Sequence, residues 1–159
     1  MKLGLLAFVM TAVPSFLLGC NTRVDDCNKV IGVHNAGVEE QKKVDADKPE
    51  GLAALATLND KTATSMAAVP VKDEGLKTKT SALVDAEKAL SVQVRVTVSE
   101  MKELKELTDK PMPDDVDSIK KRASDLEALT MKMEKSKPAM DSATAVKKKA
   151  SDDFDAYCK

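Results

Sequence analysis

The sequence predicts an all-α protein: an antiparallel bundle of four helices in which the third and fourth form a long projecting hairpin. Three observations carry this reading. Apolar residues recur at spacings of three and four along most of the chain, the period of an amphipathic helix. Pro49, Pro70, Pro111 and Pro113 cut that pattern into pieces of helical length. Aromatic residues are scarce, with three Phe, one Tyr and no Trp in 159 residues, so the core must be built from Leu, Val, Ala, Met and Ile.

The chain opens with Lys2, an apolar run from Leu3 to Leu18 interrupted by Thr11, Pro14 and Ser15, and small residues ahead of a cysteine. This is the layout of a secretory signal, and the run is too short and too interrupted to span a bilayer. Leu17-Leu18-Gly19-Cys20 resembles the lipobox of bacterial lipoproteins. The resemblance implies that residues 1–19 are a signal peptide and that the Cys20 sulfur receives a diacylglycerol. Cleavage then leaves Cys20 as an acylated, palmitate-bearing N-terminus. About three acyl chains would make that anchor effectively permanent. In the sorting behaviour of this class an aspartate after the cysteine favours the inner membrane. Asn21 stands there instead, which implies the outer membrane of a Gram-negative envelope, on its periplasmic or surface side. Residues 20–26 are then a short tether and 27–159 a single helical domain held close to the bilayer.

The first helix is expected from Asp25-Asp26, an acidic start, to about Asp45, with Cys27, Val30, Ile31, His34, Val38, Gln41 and Val44 on one face. Asp47-Lys48-Pro49-Glu50 reads as a capping box with proline in the first turn, so a second helix starts there. Its stripe is Leu52, Leu55, Leu58, Thr62, Met66 and Val69, and it ends before Pro70. Val71-Lys72-Asp73 connects to a third helix carrying Leu76, Thr80, Leu83, Leu90, Val94, Val98, Met101 and Leu104, up to about Thr108. The tip from Asp109 to Pro113 cannot be helical. Asp114, Asp115 and Asp117 suit the positive end of a fourth helix. Its stripe runs through Val116, Ile119, Ala123, Leu126, Met133, Met140, Phe154 and Cys158, with a kink or new start expected at Pro138.

One stretch points the other way. Val92, Val94, Val96 and Val98 alternate with polar residues at the strand period, and valine favours strands. The flanks Asp85 to Leu90 and Glu100 to Leu107 are helix formers, no turn residue intervenes, and a lone strand would have no ladder partner. The helical reading therefore prevails.

With Cys20 assigned to lipid, Cys27 and Cys158 remain as a pair. In an oxidising compartment they are most simply a disulfide, the alternative being two free thiols. Closing so long a loop restricts the unfolded chain by up to about 5 kcal/mol. An even number of antiparallel passes returns the C-terminus to the starting end, so a bonded pair favours four helices over a three-helix bundle with residues 25–68 as one rod. The first two helices would measure roughly 30 Å, the third about 50 Å and the fourth over 60 Å. The tip at Met112 would then point away from the membrane.

The lipobox, the Cys27-Asn28-Lys29-Val30-Ile31-Gly32-Val33-His34-Asn35 stretch, the Val69-Pro70-Val71-Lys72-Asp73 joint and the final Tyr157-Cys158 together resemble small uncharacterised helical lipoproteins of myxobacteria and their relatives. That resemblance covers nearly the whole mature chain and implies no activity.

Composition excludes several functions. Lys and Arg number 25 against 26 Asp and Glu, interspersed along the chain, which offers no basic face to nucleic acid. His34 is the one histidine, too little for a nucleophilic triad or a metal site, and reads as a structural core residue. The acidic groups Asp114, Asp115, Asp117 and Asp152, Asp153, Asp155 lack the glycine and closing glutamate of a calcium loop. Capping accounts for the first group and nothing in the sequence accounts for the second. Lys147-Lys148-Lys149 reads as a solvated face, or one touching anionic headgroups.

Helix three is the sharpest lead. Val94 and Val98 face the core, while Ala89, Val92 and Val96 fall on nearly the opposite side. Either the other helices cover that second face, or it is a surface for a partner or lipid-like ligand. With Met112 at the tip these residues form the candidate partner surface. The expected function is a non-catalytic, structural or protein-binding lipoprotein without cofactor, metal or nucleic-acid partner. The alternative is a carrier of a small apolar ligand held between helices.

Overall fold

A computed structural model describes residues 18–159, with side chains described from Thr22 onward. The described residues form four helices and no strand: α1 (Leu18–Gln41), α2 (Pro49–Ala67), α3 (Glu74–Asp109) and α4 (Val116–Cys158). Successive helices pack antiparallel. At 1.5 Å per residue α1 and α2 are about 36 and 29 Å long, α3 about 54 Å and α4 about 65 Å. α3 packs extensively on both α2 and α4, whereas α1 rests mainly on α2 and meets α3 and α4 only lightly. The molecule is thus a four-helix bundle at one end and an α3–α4 hairpin at the other. The valine-rich stretch 92–98 lies within α3, as its flanks require.

The core follows this asymmetry. At the four-helix end Cys27, Val30, Ala63, Met66, Leu76, Leu83, Val84 and Phe154 make one buried cluster. A smaller one, Ala56, Val94 and Val98 with Leu52, Leu90 and Met140 against it, lies farther along α3. Phe154, an aromatic of the last two turns of α4, is among the largest fully buried side chains.

Six expectations are corrected. The segment 20–26, read as a tether, is helical and continuous with α1, while α1 stops at Gln41 and not near Asp45. On α2 the buried line is Ala56, Asn59, Thr62, Ala63 and Met66, and Leu52, Leu55 and Leu58 are only half-buried. The reason is close approach: small residues sit where helices meet, leaving leucines to the flanks. A Cβ on Gly37 of α1 would stand 2.1 Å from Thr62 Oγ1. Ser91 of α3 donates to the Ala56 carbonyl of α2 at 2.9 Å.

The Asp47 capping box does not form. Lys48 occupies the N-cap without a side-chain bond, and the Asp47 N–H is turned to Asp45 Oδ1 at 3.2 Å. α4 runs unbroken through Pro138, which is exposed, so no new segment starts there. Packing on α3 to either side, through Ser136 and Met140, outweighs one lost backbone bond. Val116 and Ile119, assigned to the core stripe, are 64% and 41% exposed because the first turns of α4 have no helix to pack against.

Candidate functional site

The end where both termini of the domain meet is tied by a dense set of bonds. Cys27 and Cys158 form a disulfide with Cα atoms 5.8 Å apart across 131 residues of sequence. Beside it, buried Asp26 accepts from the Lys72 backbone N–H at 2.7 Å and from Lys29 Nζ at 3.1 Å. Those bonds hold its carboxyl below the usual range, the Lys72 amide contributing most. Asp73 caps α3 by accepting from the Leu76 N–H at 2.7 Å, and the Tyr157 hydroxyl donates to the same oxygen at 2.7 Å. Asp73 is therefore held low, and the phenol of Tyr157, whose proton is engaged, is pushed up. Arg23 lies over the Tyr157 ring, 5.5 Å from its centroid, a cation–π contact between α1 and α4. The tyrosine reaches Asp73 only because position 75 is glycine, where an added Cβ would stand 2.1 Å from the hydroxyl oxygen. By periodicity alone Asp73 falls in the connection between α2 and α3. Its position three residues before Leu76, ahead of an apolar helix, is nonetheless an N-cap signal.

A second polar group lies inside the bundle. Glu87 of α3 is fully buried, with Lys147 Nζ of α4 at 3.0 Å and His34 Nε2 of α1 at 3.7 Å. The lysine stands close but off the hydrogen-bonding direction, so the contact is ionic. His34 is core-facing and half-buried. The lysine run is corrected in part: Lys147 turns inward, to 21% side-chain exposure, and only its two neighbours are solvated. Those neighbours explain two of the last three aspartates, since Lys148 pairs with Asp152 at 2.8 Å and Lys149 with Asp153 at 2.7 Å, one turn apart on the helix. At the start of α4, Asp115 accepts from the Ser118 N–H at 2.8 Å as its N-cap.

The candidate partner surface divides into two patches. Ala89 is exposed, and Val92 and Val96 are 53% and 37% exposed on the outward side of α3, so the other helices do not cover this face. Met112 is 72% exposed at the tip. Thirteen helical residues separate Val96 from the end of α3, about 20 Å, so Met112 does not join the valines. It joins Val116 and Ile119, two exposed residues missed by the sequence reading because a stripe does not reveal where its partner helix ends. The tip is held by Arg122, which donates to the carbonyls of Leu107, Thr108 and Pro111 and so caps the C-terminus of α3.

Among the described residues no cluster of three or more His, Cys, Asp or Glu side chains is placed to hold a metal, and no helix is long and apolar enough to cross a membrane. Of the processing motif, Leu17 and the preceding residues lie outside the described residues, as does the side chain of the lipidation candidate Cys20. Comparison with protein-family models, with characterised proteins and with solved structures finds no match to this chain.

Proposed function

We propose that the protein is a lipoprotein of the outer membrane, anchored through acylated Cys20, that binds another protein and catalyses no reaction. The observation that carries the binding reading is the exposure of Val92 and Val96 on the outward side of α3. Two β-branched apolar residues a turn apart on a water-facing helix offer area to a partner without serving the core. The apolar tip at Met112, Val116 and Ile119 adds a second contact point at the far end of the molecule.

The anchor places these features usefully. Cys20 lies seven residues before Cys27 on the same helix, about 10 Å of rigid rise between lipid and disulfide. The tied end would then face the bilayer while the hairpin stands away from it. Interspersed charges and the lack of a basic face support the exclusion of nucleic acid as a partner.

Site-specific photo-crosslinking in cells tests this reading. A crosslinker at Val92, Val96 or Met112 is expected to give a discrete protein adduct, while one at exposed Thr57 or Lys61 of α2 gives none. Equal labelling from all positions, or adducts from the α2 positions alone, would contradict it.

A specific observation also keeps the second reading, a small-ligand carrier. Beyond the short helices, α3 and α4 flank an open, mostly apolar groove of about 530 Å³. That volume lies in the range of small-molecule sites.

A further inference from the structure

The α3–α4 groove is lined by a buried carboxylate, Glu100, that has no cation beside it among the described residues. Its walls include Leu104, Met133 and Met140, and Glu100 lies at its base. Glu100 is 2% exposed, as deeply buried as the core. Among the described residues no lysine, arginine or histidine comes within ion-pair distance of it, in contrast to Glu87, which has Lys147. Two cations of this part of α4 do not serve it: Lys132 pairs with Glu103 at 2.8 Å, and Lys137, which lines the groove, is exposed and makes no ion pair among the described residues.

Among the described residues the one hydrogen bond to the Glu100 carboxylate comes from the Ser136 hydroxyl, 2.8 Å from Oε2. That hydroxyl also lies 2.9 Å from the Met133 carbonyl, and it has one proton for two acceptors. Oε2 thus has one shared donor and Oε1 has none while keeping access to the groove, so the carboxylate can accept from a cation that enters there. The groove leads to it, and its methionines can adapt to an apolar chain.

We propose that this groove is a binding site for an amphiphilic monocation, an aliphatic ammonium whose head reaches Glu100 and whose chain lies against Leu104, Met133 and Met140. The inference deepens the small-ligand reading and stands apart from the protein-binding surface on the outer side of α3. Charge complementarity selects the class: an alcohol of equal length fills the walls but leaves the carboxylate unpaired, and a fatty acid brings a second negative charge beside it.

The experiment is a titration of the full lipidated chain, labelled with ¹³C in its methionine methyls, with hexylammonium. Met133 and Met140 report the groove, and Met66, fully buried in the four-helix core, reports integrity and non-specific partition. Saturable shifts of Met133 and Met140 are expected, with a dissociation constant of about 1 mM for so small a probe, while Met66 stays still. Hexanol and Glu100→Gln should each weaken the response by about 10-fold or more. If the Met66 signal shows Glu100→Gln to be misfolded, Thr97→Lys takes its place, supplying an ammonium from within the groove and abolishing the response. Equal affinity for hexanol and hexylammonium, shifts unaffected by either substitution, or no saturable shift at about 10 mM would overturn the proposal.

Discussion

Tyr157 and Asp73, 84 residues apart in sequence, share a 2.7 Å hydrogen bond at the oxygen that also caps α3. One carboxylate thereby fixes where α3 starts and where α4 finishes. With the adjacent disulfide and the Asp26–Lys72 bond it joins α1, the α2–α3 connection and α4 at one end, although α1 and α4 otherwise touch little.

The arrangement makes two glycines behave oppositely. Gly75→Ala puts a methyl 2.1 Å from the Tyr157 oxygen, so the ring must leave Asp73, and a loss of about 1–2 kcal/mol is expected. A Cβ at Gly32 meets nothing within 4 Å, so Gly32→Ala should gain up to about 1 kcal/mol from helix propensity. Urea unfolding of the two variants measures both signs.

The pH dependence follows from the same bonds. Asp26 and Asp73 have lowered folded values, so their contribution is present above their unfolded value of about 3.9 and is lost as pH falls through the folded ones. Tyr157 is raised, so its contribution is present below about 10 and is lost as pH rises through its folded value. Stability against pH should show a plateau with an acid limb below about 4 and an alkaline limb above about 10. Asp73→Asn should weaken both limbs, with Asp26 sustaining part of the acid one, which thermal unfolding across the range would reveal.

Much of this was legible beforehand, and the failures share a cause. Helical periodicity and proline placement locate the four helices, and the spacing of Cys27 and Cys158 identifies the four-pass topology. The leucines of α2 are a poor guide because hydrophobic size does not give depth where close packing against Gly37 and Ser91 buries small residues instead. Val116 and Ile119 misled because exposure at a hairpin tip depends on where the partner helix stops. Glu87 and Glu100 gave no sequence signal at all, since a glutamate in a helix is ordinarily solvated.

Buried Glu87 sets a further expectation. Lys147→Met removes its nearest cation and should cost about 3 kcal/mol, the penalty for an uncompensated buried charge. Glu87→Leu combined with Lys147→Met removes both charges, and most of that loss should return. Chemical denaturation of the single and double variants compares them.

Breaking the disulfide by Cys27→Ala with Cys158→Ala should lower stability by about 2–5 kcal/mol, since it frees a loop of 131 residues. The end of α4 loses its tether to α1, so early proteolysis should appear there, near Tyr157, while the α3–α4 hairpin resists. Limited proteolysis with mass mapping tests the order of cleavage.

At the far end, Arg122→Ala leaves three carbonyls of the α3 terminus and tip without their donor. Amide exchange should accelerate around residues 108–118 with a global loss of only about 1 kcal/mol, because no core residue is disturbed. Lysine at the same position should not restore protection, since one ammonium cannot reproduce the guanidinium fork.

The claim that joins these features is that one tied end is held to a membrane while the hairpin is presented away from it. Intact mass of the protein extracted from the cell envelope without reduction tests it most directly. The account predicts a chain beginning at Cys20, heavier by about three acyl chains and lighter by the two hydrogens of one disulfide. A chain retaining residues 1–19, a cleaved chain without acyl mass, or one carrying two free thiols would contradict it.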